Sequence, residues 1–177
     1  MSIDSPRLID ALDLRPAMGA KLHRRLRLRF GPIAPVIILL ALLGCARGPC
    51  VSIAGADGKP RATVAVEVAN TGAERELGLM FRKHLDDNTG MIFVFPDAAR
   101  RTFWMHNTPI SLDMIFADAA GRVTGIVANA EPFSDKPVGV EADSEYVLEV
   151  NGGFCAKNAI KPGDRMDFSG FSPHASQ

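Results

Sequence analysis

The chain has only three cysteines, one tryptophan and one tyrosine, and no net charge, because 20 Lys and Arg balance 20 Asp and Glu. Three cysteines are too few for a disulfide framework. The charge balance excludes a basic nucleic-acid binder unless the charges are unevenly spread. No apolar run reaches the roughly 20 residues of a spanning helix, which excludes a multi-span membrane protein. C-x-x-C, H-x-H and H-E-x-x-H are all missing, so no metal site is written in the usual spacings and no cofactor is implied. G-x-S-x-G and any internal repeat are missing too. What is present is ordinary globular usage, 47% apolar and 23% charged residues, enough for one domain.

The zero charge is a sum of two unlike parts. Residues 1–44 hold seven basic groups, five of them in Lys21–Arg29, against Asp4, Asp10 and Asp13, for a net +4. The remainder holds 13 basic and 17 acidic groups, for a net −4. The basic cluster precedes the apolar run Ile33–Leu43 and then Gly44-Cys45, the arrangement of a secretory leader. Pro32 and Pro35 also argue against a stable spanning helix there. Leu42-Leu43-Gly44-Cys45 resembles the bacterial lipobox, in which the leader is cut before a cysteine that carries lipid. Leu43 is bulkier than the small residue usual at that place. The expectation is export across the inner membrane and anchoring in the periplasm through a lipid on Cys45. A plain cleaved signal and an uncleaved anchor are the alternatives. Residues 1–17 read poorly as the start of a leader, and Met18 is the expected true start.

Residues 45–62, rich in Gly, Ala and Pro, read as a flexible tether, with order beginning near Thr63. Val64, Val66 and Val68 alternate with Ala65, Glu67 and Ala69, the period of a half-buried strand. Thr71-Gly-Ala-Glu74 has capping-box spacing and predicts a short helix with Leu77 and Met80 on its inner face. Met91–Phe95 suits a strand buried on both faces. Thr102–His106, Leu112–Ala117, Arg122–Ala128, Tyr146–Val150 and Arg165–Phe168 complete about seven strands, with a hairpin turn at Asp118–Gly121. Glu131–Ser144 reads as a long acidic loop and Phe154–Ile160 as a second short helix. The expected fold is a mainly β, sandwich- or barrel-like domain over residues 63–170, ahead of a disordered tail at 171–177.

Four stretches then point to a family: Glu74-Arg-Glu-Leu-Gly-Leu-Met-Phe-Arg82, Gly90-Met-Ile-Phe-Val-Phe95, Phe103-Trp-Met-His-Asn-Thr-Pro-Ile-Ser-Leu-Asp113 and Tyr146-Val-Leu-Glu-Val-Asn-Gly-Gly153. With Ile160-Lys-Pro-Gly-Asp164 they resemble domain-of-unknown-function family 192 across residues 63–168. The resemblance implies a compact, mostly β fold in a commonly exported family with no assigned activity. This chain has His106 where the family pattern usually has Lys, and Cys155 where a small residue is frequent.

Candidate chemistry gathers around Trp104, His106, Asn107 and Asp113, with Arg75 and Arg82 flanking the first helix. Trp104 and His106 would share one face of a strand and Met105 the other. One reading is a polar cleft with an aromatic platform for a small polar or sugar-like ligand, the arginines gripping a carboxylate or phosphate. The other is structural, with Asn107 and Asp113 satisfying turn amides and Trp104 filling the core. A Cys155–His106–Asp113 catalytic set and a soft copper site of Met80, Met91, Met105, Met114 and His106 are minor options, the methionines serving better as core filler. Cys50 and Cys155 are an even pair in an oxidising compartment, either bridged or left as two thiols. The leading expectation is a non-enzymatic envelope module that binds a small polar ligand or a partner protein. The alternative is a periplasmic enzyme acting on a polar or carbohydrate-like substrate.

Overall fold

The computed structural model describes residues 48–173. The leader, Cys45, the Met18 start and residues 174–177 lie outside the described residues. Nine elements follow one another: β1 (Cys50–Ala54), β2 (Pro60–Ala69), α1 (Gly72–Leu77), β3 (Thr89–Phe103), β4 (Leu112–Ala117), β5 (Val123–Ala130), β6 (Val138–Asn151), α2 (Phe154–Lys157) and β7 (Arg165–Ser169). The domain is mainly β, with seven strands in one sheet of order β5-β4-β6-β3-β2-β1-β7. The pairs are antiparallel except β2 with β3, which run parallel because α1 carries the chain back across.

The sheet curls until its two edges meet. Met166 donates its amide to Gly121 O at 2.7 Å and Val123 to Asp164 O at 2.8 Å, so β7 closes against the turn into β5. This gives the barrel-like form and joins the two edges at one end, by the turn into β5. One face of the curl buries Val51, Ile53, Val64, Ile92, Ile115, Leu148 and Met166, drawn from six strands. The other face has its own core of Met91, Phe93, Met105, Leu112, Met114, Phe116 and Val147, covered by Leu79 and Leu85.

Two expectations fail here for physical reasons. The segment read as a tether contains β1 and the start of β2. Cys50–Ala54 pairs with Ala65–Pro60 on one side and with Ser169–Arg165 on the other. Val51 and Ile53 are fully buried. A five-residue strand flanked by Gly and Pro has too little periodicity to stand out. Residues 171–173, expected to lie in the tail, are packed as well. Phe171 packs on Phe168, and Tyr146 Oη donates to Pro173 O at 3.1 Å.

The strand count agrees, but the strands are divided differently. Met91–Phe95 and the start of Thr102–His106 belong to one 15-residue strand, β3. Its register shifts between Val94 and Ala99, so Pro96 sits at an irregularity where it breaks no ladder hydrogen bond. β6 likewise begins at Val138, inside the stretch read as a loop. The capping box forms as the spacing predicts: Glu74 N donates to Thr71 Oγ1 at 3.3 Å and Thr71 N to Glu74 Oε2 at 2.9 Å. These backbone donors hold the Glu74 carboxyl below the usual range. The helix then stops at Leu77, because Gly78 turns the chain at φ +47°. The helical period therefore does not continue. Leu77 is 56% exposed and Leu79, not Leu77, enters the core.

Candidate functional site

A cavity of about 390 Å³ opens on the second face of the sheet, where α1 and the far end of β3 rise over β6. That volume is at the small-metabolite end of ligand sites. Phe93, Phe95 and Phe103 contribute an edge-to-face ring stack, with centroids 5.1 Å and 6.4 Å apart. Leu77 and Trp104 stand at the rim, both more than half exposed. Met105, Thr108 and Leu112 form part of the wall.

Glu149 lies in this cavity. It is on β6 between Met91 of β3 and Met114 of β4, and it is only 4% exposed. The backbone approaches so closely here that a Cβ on Gly90 would lie 2.3 Å from Glu149 O, so the neighbouring position must be glycine. The Glu149 carboxyl has no hydrogen-bond or ion-pair partner among the described residues. Burial pushes its pKa up from 4.5 to about 8. A buried carboxyl without a partner is costly to ionise unless a cation is brought to it.

Arg75 is the cavity's fixed cation. Its Nη1 donates to Asn70 O at 2.8 Å and to Val94 O at 2.9 Å, and its guanidinium lies 5.3 Å from the Phe95 ring centroid. Both Nη1 hydrogens are thereby used. The Nε and Nη2 edge carries no hydrogen bond among the described residues and is the fork that fits a carboxylate. Arg101 lies over the same ring at 4.1 Å but is engaged by Asp97 Oδ1 at 3.0 Å and Ser144 O at 3.3 Å.

The expected cluster separates. Arg75 and Trp104 line the cavity. Arg82 faces a second cleft with Glu67, to which it is paired, and with His84 and Asp86. His106 stacks on Trp104 at 5.1 Å, so the two rings do share a face while Met105 is buried between them in sequence. Its Nδ1 is 2.6 Å from Asp135 Oδ1 at the surface, away from Asp113. Asn107 is a left-handed corner, φ +52°, whose carbonyl accepts from Phe81 N at 2.7 Å.

Asp113 is fully buried and structural. Its Oδ1 accepts from Asn129 N at 2.8 Å and Gly153 N at 3.1 Å, and its Oδ2 accepts from Cys155 N at 2.8 Å. It thus caps α2, whose own N-cap is a glycine with no side chain to do so. Asp113 therefore meets the structural expectation, whereas Trp104 does not fill the core.

The conceivable Cys155–His106–Asp113 set is not assembled. His106 pairs with Asp135, and burial, with Asp113 next, pushes the Cys155 thiol far up, away from nucleophilic use. Nor are Cys50 and Cys155 bridged to each other: both are buried, and Cys50 Sγ lies 2.9 Å from Ser169 Oγ. The copper set dissolves as well, because Met91, Met105 and Met114 are core residues. No group of three His, Cys, Asp or Glu side chains able to hold a metal occurs among the described residues.

Glu149 and Arg101 were missed by sequence reasoning. Alternation in Tyr146–Val150 assigns Val147 and Glu149 to the polar face of a half-buried strand. The only hint that this face is covered lies in Met91–Phe95, apolar on both of its faces.

A curled seven-stranded sheet with one buried acidic group under an aromatic cavity defines a mainly β domain. The chain belongs to the family of domain of unknown function 192, described as "Uncharacterized ACR", whose model matches residues 53–168. Among solved structures it is similar to a protein from Sinorhizobium meliloti 1021, provisionally named a transcription regulator, at 33% identity and a TM-score of 0.66. That match covers 70% of this chain and 95% of the other. It is also similar to a protein of unknown function from Novosphingobium aromaticivorans DSM 12444, at 43% identity and a TM-score of 0.63, covering 67% and 83% of the two chains. No curated protein matches the chain.

Proposed function

We propose that this domain is a small-ligand-binding module of the cell envelope, with the Glu149 cavity as its site. The observation that carries the reading is Glu149 itself: a buried carboxyl with no partner among the described residues, in an aromatic-lined space of metabolite size that arginines also border. A structural role for this group would leave it hydrogen-bonded, as Asp113 is. Binding is favoured over catalysis because the groups that would serve a reaction are committed elsewhere, His106 to Asp135 and Asp113 to backbone amides. Export and a lipid on Cys45 are supported by the basic cluster, the short apolar run and the lipobox-like Leu42–Cys45.

A thermal-shift screen of the full chain against envelope metabolites tests the binding reading. At least one compound should raise the melting temperature, and Trp104→Ala at the exposed rim should diminish that shift without lowering the unliganded melting temperature by more than a few degrees. Ligands whose shifts are indifferent to both Trp104→Ala and Glu149→Gln would count against the cavity.

A further inference from the structure

We infer that the ligand of the Glu149 cavity is a small zwitterion of the amino-carboxylate class, its ammonium seated on Glu149 and its carboxylate held by the free edge of Arg75. This rests on the cavity reading above and names its substrate class. Three observations converge. Glu149 is the one acidic group buried in the cavity, and it has no partner there among the described residues. A site for a hydroxyl or amide could be built with neutral side chains, whereas a buried carboxyl is best offset by a cation brought to it. The space before it is lined by Phe93, Phe95, Phe103 and Trp104, and aromatic rings add attraction for an ammonium.

The third observation is Arg75. It lines the same cavity with one nitrogen pinned by two carbonyls and its Nε and Nη2 edge unused. No carboxylate among the described residues forms an ion pair with it, unlike Arg82, Arg100 and Arg101, which face Glu67, Glu141 and Asp97. A ligand with a cation alone would leave this fork unused, and an anion alone would leave Glu149 unpaired. A zwitterion satisfies both, with no net charge brought into the cavity.

The proposal carries a proton signature. The charged groups facing Glu149 across the cavity are Arg75 and Glu76 of α1 and Arg100 and Arg101 of β3. Its cross-strand neighbours Met91 and Met114 are uncharged, Asp113 points to the opposite face, and Glu67 lies two strands away, paired with Arg82. β5 brings no titratable side chain. Unliganded Glu149 holds its proton up to about pH 8. An arriving ammonium favours the carboxylate, so that proton leaves to solvent on binding. Affinity should therefore rise about 50-fold from pH 6 to pH 8, then level until the ligand's own amine deprotonates near about 10.

The test is isothermal titration of the full chain with the common L-amino acids, 4-aminobutyrate, 5-aminovalerate and 6-aminohexanoate, each beside its analogue lacking the amine (pentanoate for 5-aminovalerate) or lacking the carboxylate (pentylamine). Buffers of different ionisation enthalpy count the protons released. The expected result is a zwitterion that binds at least about tenfold more tightly than either analogue and releases nearly one proton at pH 7. Glu149→Gln should abolish both the proton release and the pH dependence, and Arg75→Gln should erase the advantage over the amine. An analogue lacking the amine that binds as well as its parent, or binding with no proton release, overturns the zwitterion while leaving a ligand cavity in place. Silence across the whole panel also overturns it, and the wider metabolite screen then decides the cavity reading by itself.

Discussion

Two of the three buried carboxylates among the described residues, Asp113 and Glu149, have opposite surroundings. Asp113 receives three backbone amides and ties β4 to β5 and to the start of α2. Asp113→Ala should cost about 3 kcal/mol in urea unfolding, because three buried donors lose their acceptor together. It should leave ligand binding in the folded fraction unchanged, since Asp113 does not line the cavity. Glu149 receives nothing. Its replacement by Met, similar in size and flanked by Met91 and Met114, should raise stability by about 1–3 kcal/mol at neutral pH while abolishing binding. The two proteins should also differ in pH dependence. The unfolded chain releases the Glu149 proton near 4.5 and the folded one keeps it to about 8, so the folded state binds more protons between those values. This group's contribution therefore falls as pH rises through that window, by up to about 1.4 kcal/mol per unit, and is level above it. Unfolding at pH 5, 6, 7, 8 and 9 should show this slope in the wild type and not in Glu149→Met. None of the Glu149 behaviour was legible in the sequence, where the same alternation that marks a strand assigns its odd positions to solvent.

At the scale of elements, legibility followed length and punctuation. The capping box, the Asp118–Gly121 hairpin and the doubly buried Met91–Phe95 run are local, and each formed where its spacing put it. β1 did not announce itself, because its burial comes from β2 and β7, more than a hundred residues apart along the chain in the second case. A chain started at Thr63, as the tether expectation would allow, should therefore fail to fold. It lacks Val51 and Ile53 from the core and exposes an edge of both β2 and β7. Circular dichroism and amide dispersion in NMR would reveal this, and a cooperative, native-like Thr63 chain would show β1 to be dispensable. The continuation of β3 through Pro96 was hidden for a related reason. Proline reads as a strand end unless a partner strand is known to shift register at that point.

For the whole molecule, the charge asymmetry between residues 1–44 and the remainder leads to a prediction about place. Cys45→Ala should shift the protein from the membrane to the soluble fraction of fractionated cells, and the native protein should lack the mass of its leader and gain that of a lipid. A protein that keeps Met1, or one whose membrane association ignores Cys45, would remove the anchor. The sequence by itself determined the mainly β class, the family, and the first short helix with its capping box, because each is written in spacing over a few residues or in motifs carried in order along the chain. The tertiary structure alone decided which face of β6 is covered, that β7 closes on β5, and that Arg75 and Trp104 share a cavity with Glu149 while Arg82, His106 and Asp113 do not. Those outcomes depend on cross-strand register and on which segments fold over a sheet face, and neither is encoded in the local period of any one strand.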